Sequence, residues 1–143
     1  MAVSISMAEN DIVMDDSVAL VVDNDPLLRQ YINTILHTDG FQSLEAASGA
    51  EAFRLVRALH TQLDLIVSDI EMPDGDGLWL TSLMAKEYPG VPCLLISGFE
   101  QPVVPLNAGF LRKPFLPSDF LRAVRRLLAR HPAPAGASCG SAA

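Results

Sequence analysis

Cysteine, basic charge and long apolar runs are all scarce in this chain, and each scarcity narrows what it can be. Only two cysteines occur in 143 residues, Cys93 inside an apolar run and Cys139 in a tail of small residues. That excludes a disulfide framework, and neither has a His or Cys at zinc-ligand spacing, so Cys93 reads as a small core residue. Ten Lys and Arg against seventeen Asp and Glu leave a formal charge of −7 and a pI near 4.7. Such a balance argues against nucleic-acid binding, which needs clustered cations on the phosphates. The one basic cluster, Arg122, Arg125, Arg126 and Arg130, alternates with Leu121, Val124, Leu127 and Leu128, so it reads as the solvated face of an amphipathic helix. The first sixteen residues lack a basic start followed by an apolar core, and no apolar stretch is long enough to span a bilayer. No membrane association and a cytoplasmic location are expected.

What is present is an alternation of strand and helix patterns, the signature of a parallel sheet with helices on both faces. Half of the residues are apolar, enough for one domain with a sizeable core. Strands are predicted near 18–23, 41–46, 64–69, 92–97 and 109–112. The first helix opens at Asp25-Pro26, an N-cap acceptor before a proline, and carries Leu27, Ile32, Ile35 and Leu36 inward as far as Gly40. The second opens after Ser48 with Ala52, Leu55, Val56 and Leu59; the third begins near Gly77 with Leu78, Leu80 and Leu83; the last runs from Pro117-Ser118 to about Arg130. Between the fourth and fifth strands, Pro102 and Pro105 each remove a backbone donor and disfavour a helical residue before them, so a full crossover helix is not expected there. Residues 1–16 and 132–143 read as disordered flanks of a folded unit at 17–131.

Three apolar runs end on polar groups. Leu63-Asp64-Leu65-Ile66-Val67-Ser68 stops on Asp69, Val18 to Val22 runs into Asp23-Asn24-Asp25, and Cys93 to Ile96 runs into Ser97-Gly98. Asp69 alone could merely start a turn or cap a helix. Three strands ending this way imply one shared site, because ligands of open α/β sheets gather at the carboxyl ends of the strands. A carboxylate nucleophile aimed at phosphorus needs a divalent cation, a fixed cationic side chain and hydroxyl donors around it. Asp23 and Asn24 offer hard oxygens suited to Mg²⁺, Lys113 after the fifth strand offers the cation, and Ser97 the hydroxyl. Asp25 reads as the helix cap, Asp74-Gly75-Asp76-Gly77 as a turn lacking the later ligands of a calcium loop, and His37, His60 and His131 as helix-end residues without partners.

From about Val18 to Arg130 the set resembles the receiver domain of bacterial two-component response regulators, through Asp23-Asn24, Asp69 with Met72-Pro73 and Asp76-Gly77 after it, Ser97-Gly98, and Lys113-Pro114-Phe115. The resemblance implies a flavodoxin-like, doubly wound five-stranded parallel sheet of order 2-1-3-4-5. It further implies that Asp69 takes a phosphoryl group from a partner phosphohistidine, with Mg²⁺ held by Asp69, Asp23, Asn24 and the backbone carbonyl of Glu71. Lys113 would bind a phosphoryl oxygen, while Ser97 and Phe110 would form the switch. The partners implied are a sensor histidine kinase or histidine phosphotransfer protein and a downstream protein, with a homodimer as an option. Such a domain is not an enzyme beyond its own phosphorylation and dephosphorylation, and no output domain of its own is expected.

The sequence departs from that pattern in two places. Asn24 stands where the family usually has a second acid, which should lower Mg²⁺ affinity. The interval from Ser97 to Lys113 is short by more than one helical turn, so the fourth helix is expected to be shortened or replaced by a loop. Phe99 is expected to shield an acyl phosphate from water. Two further readings stay open: a pseudo-receiver that binds a partner without phosphorylation, and a small haloacid dehalogenase-type phosphatase with Asp23 as nucleophile beside Ser97 and Lys113, which leaves Asp69 unexplained.

Overall fold

The computed structural model describes residues 17–72, 77–99 and 108–130. Five strands, β1 (Val18–Val22), β2 (Gln42–Ala46), β3 (Leu65–Asp69), β4 (Cys93–Ser97) and β5 (Ala108–Arg112), form one parallel sheet in the order β2-β1-β3-β4-β5. The α-helices among the described residues are α1 (Pro26–Thr38), α2 (Gly49–Leu59), α3 (Gly77–Glu87) and α4 (Pro117–Arg130). A 3-10 turn at His60–Gln62, which the sequence patterns did not signal, follows α2. No helix among the described residues is long and apolar enough to cross a membrane.

The predicted elements are all found, each within a residue or two of its expected bounds, because punctuation and apolar period agree locally. Asp25 caps α1 by accepting the Leu27 N–H at 2.9 Å ahead of Pro26, and Ser48 caps α2 by accepting from Glu51 N at 3.1 Å. Gly40, at φ 91°, ends α1; its N–H returns to the His37 carbonyl and that of Phe41 to Leu36, so Phe41 turns into the core. One prediction about α1 is corrected. Leu27 is 74% exposed, in the first turn of the helix just after Pro26; Ile32, Ile35 and Leu36 supply the buried apolar stripe, with Leu28 packed against its edge.

β3 and β4 are buried along their whole length, as strands covered on both faces must be. On one face, Leu20, Val22, Ile66, Cys93 and Leu95 pack with Ala52 and Val56 of α2 and Leu80 and Met84 of α3. On the other, Ala19, Val21, Leu65, Val67, Leu94 and Ile96 pack with the α1 stripe and with Phe120, Val124 and Leu127 of α4. Each fully buried side chain of this size contributes about 1.5–3 kcal/mol. β2, at the sheet edge, is largely exposed and polar, which protects an open edge.

Ten residues, 98–107, connect β4 to β5, at or below the length a parallel crossover with its own helix requires. That length leaves no room for a crossover helix as long as the other four. Pro102 and Pro105 themselves, like Pro73, Asp74, Gly75 and Asp76 and both tails, lie outside the described residues.

Candidate functional site

Parallel pairing brings the strand ends level. Val22 lies opposite Ser68, Asp69 opposite Ile96, and Ser97 opposite Arg112, so Asp23, Asp69, Ser97 and Lys113 converge at the carboxyl edge. The backbone bonds Ile70 N to Ile96 O (2.9 Å) and Lys113 N to Ser97 O (2.8 Å) extend the ladder one residue past the strands and fix that register.

Asp69 is only 6% exposed. The Lys113 ammonium approaches its Oδ1 to 3.2 Å as an ion pair, yet no donor makes a hydrogen bond of good geometry to that buried oxygen. Asp23, 2% exposed, accepts the Asp25 N–H at 2.8 Å. Burial pushes the Asp23 carboxyl above its ordinary 3.8; the Asp25 N–H opposes this, the Asp69 charge adds to it, and the Lys113 ammonium opposes it. Two buried carboxylates thus share one partly exposed ammonium, a negative pocket that a divalent cation would relieve. Among the described residues no group of three His, Cys, Asp or Glu could hold an ion, so further ligands must be amide, carbonyl or water oxygens. That donor set fits Mg²⁺, which keeps several waters.

Several neighbours set this geometry; the sequence patterns had not singled out Arg29 or Tyr31, and had marked Gly77 only as a helix opening and part of the Asp76-Gly77 motif. Arg29, closing the first turn of α1, donates to the Asp23 carbonyl and pairs through Nε with Glu45 at 2.8 Å, bracing the β1–α1 loop against β2. Gly77, the first residue of α3, packs so tightly under the nucleophile that a Cβ there would collide with the Asp69 carbonyl oxygen and lie 3.0 Å from the Asp69 carbonyl carbon. Its N–H donates to Ile70 O at 3.0 Å. A glycine rather than a helix former opening a helix was the available signal. Tyr31 donates to the Phe115 carbonyl at 3.1 Å, tying α1 to the turn after Lys113, whose peptide bond to Pro114 is cis.

Ser97 is buried; its hydroxyl donates to Glu71 Oε2 at 2.9 Å and accepts the Phe99 N–H at 3.0 Å. Asn24 and Glu71 are exposed beside the pocket, and Phe99 is 68% exposed. Phe110 is half-buried against the α2/α3 face. Two histidines expected to lack partners have them: His37 Nε2 lies 2.9 Å from Ser43 Oγ, and the His60 ring lies 4.4 Å from that of Tyr88. These contacts cross between elements that sequence spacing does not align; His131 lies outside the described residues.

Residues 19–125 match the family described as the response regulator receiver domain. The chain belongs to the receiver domain family. It is a phosphoacceptor signalling domain of the two-component type, as the sequence resemblance implied. This receiver is 31% identical over 115 residues to the sensor kinase CckA of Brucella abortus, covering 76% of this chain and 12% of that protein. It is 37% identical over 125 residues to the transcriptional regulatory protein PrrA of Mycobacterium leprae, covering 83% of this chain and 53% of that one. The receiver therefore spans only part of the curated relatives it matches. Among solved structures it resembles TrrA of Thermotoga maritima in complex with Mg²⁺ and BeF, at 26% identity and a TM-score of 0.70, covering 78% of this chain and 99% of that one.

Proposed function

We propose that Asp69 is the phosphoacceptor. The observation that carries this reading is its buried Oδ1, without a hydrogen-bond donor, facing the Lys113 ammonium at 3.2 Å. An Asp69 oxygen attacks phosphorus of a phosphohistidine on a partner kinase or phosphotransfer protein. The P–N bond breaks, the imidazole leaves with its electron pair and takes up a proton, and an acyl phosphate forms. Lys113 binds a phosphoryl oxygen and offsets the charge arriving beside Asp23. Ser97 moves to donate to the phosphoryl group, and Phe110 follows it, carrying the change to the surface that a downstream partner reads. Asp23, Asn24, Asp69 and the Glu71 carbonyl would hold Mg²⁺, which supplies charge neutralisation on the phosphoryl oxygens. Hydrolysis of the acyl phosphate, by water cleaving the P–O bond, is the only turnover this receiver performs, and 17–131 is the unit that performs it in the cytoplasm.

Incubation with acetyl phosphate and Mg²⁺, followed by intact mass, tests this. A single phosphate adduct on the wild type that is absent from Asp69→Ala supports the reading. Two observations keep rivals in view. Asn24 favours a pseudo-receiver, which would give no adduct. The phosphatase reading would need turnover dependent on Asp23, and Asp25, which would be the second acid of an Asp-x-Asp motif at Asp23-Asn24-Asp25, already caps α1.

A further inference from the structure

The Ser97 hydroxyl has a single proton, and that proton is committed to Glu71. We infer that Glu71 is a positioning residue: its carboxylate latches Ser97 in the unphosphorylated arrangement and must release the hydroxyl before Ser97 can donate to a phosphoryl group on Asp69. This rests on Asp69 being the phosphoacceptor. Three features carry it. Ser97 is buried and sits at the end of β4, next to the strand that ends in Asp69. One of its lone pairs accepts the Phe99 N–H at 3.0 Å, while its O–H donates to Glu71 Oε2 at 2.9 Å, an oxygen that can only accept when ionised. Glu71 follows Asp69 by two residues and is exposed, so it can swing into water and release the hydroxyl without dismantling the core. A hydrogen bond to a charged acceptor outweighs one to a neutral group, so phosphorylation must compete with it. The device would make unphosphorylated Ser97 unavailable until the incoming phosphoryl oxygens, themselves strong acceptors, displace the carboxylate.

The test is a cycle of acetyl phosphate loading rates with Mg²⁺, read by intact mass, for the wild type, Glu71→Ala, Ser97→Ala and the double variant. Losing one half-exposed charge-assisted hydrogen bond should accelerate loading in Glu71→Ala on the order of five-fold. In the Ser97→Ala background the same substitution should change the rate less than two-fold, since there is no hydroxyl to release. Glu71→Gln, which removes the charge but keeps an acceptor, should stay nearer wild type than Glu71→Ala. Equal acceleration with and without Ser97, or by Gln and Ala alike, would mean that Glu71 acts only by repelling the anionic donor and overturns the latch. So does an unchanged Glu71→Ala rate. Failure of wild-type Asp69 to load is a separate result: it removes the phosphoacceptor reading, and the latch falls with it.

Discussion

Gly77→Ala is the sharpest test of how the fold holds Asp69. The new methyl would meet the Asp69 carbonyl oxygen in hard overlap, with the Asp69 carbonyl carbon at 3.0 Å and Ile70 Cα at 3.1 Å. All three are backbone atoms at the end of a fully buried strand, so no side-chain end can swing aside. Overpacking of this kind costs about 1–3 kcal/mol. Alanine recovers up to ~1 kcal/mol through helix propensity and a less flexible unfolded chain. A net loss of about 1–2 kcal/mol remains, lowering Tm by about 5–10 °C for a domain of this size. Relief by pushing α3 outward or tilting the Asp69 peptide would misplace the nucleophile, and a displacement approaching 1 Å costs up to ~100-fold in rate. Urea unfolding followed by Trp79, the single tryptophan, which lies on α3 itself, reads the first effect; acetyl phosphate loading reads the second. Stability within about 0.5 kcal/mol of wild type, together with unchanged loading, would refute the claim that this contact positions Asp69.

Four other outcomes are expected. Asn24→Asp adds a carboxylate at an exposed position beside the pocket and should tighten Mg²⁺ roughly ten-fold by calorimetry, the reduced worth of one charge near solvent; an equal Kd would show that Asn24 does not weaken the pocket. Because the Asp23 carboxyl is raised above 3.8 chiefly by burial, its stabilising contribution is present below that pH and is lost as pH rises through the folded-state value. Without divalent cations, wild type should therefore lose stability relative to Asp23→Asn as pH rises from about 3.8, and parallel urea-stability curves for the two would contradict this. Burial pushes the Cys93 thiol up to about 12, so peptide mapping after iodoacetamide at pH 8 should find it modified only in the denatured protein. Phe99→Ala, at an exposed ring, should leave stability within about 0.5 kcal/mol and shorten the acyl phosphate lifetime; an unchanged lifetime would remove the shielding role.

Strand and helix bounds, the Asp25 cap and the polar strand ends were legible in the chain because each depends on neighbours within a few residues: apolar period, proline and glycine punctuation, a capping oxygen one position before a helix. The shortened β4–β5 connection was legible too, from a residue count and two prolines. By itself, then, the sequence determined the element order, the sheet class and which residues stand at strand ends. Tertiary structure decided what those residues meet. The 3.2 Å approach of Lys113 to Asp69, the brace of Arg29 on Asp23, Gly77 under the nucleophile and the Glu71 hold on Ser97 join segments whose alignment depends on strand register and helix docking. The same holds for Leu27, apolar by pattern but left exposed in the first turn of α1, and for His37 and His60, whose partners come from β2 and from the end of α3. Local patterning says which face of an element is apolar; only the packed sheet says which atom lies opposite which.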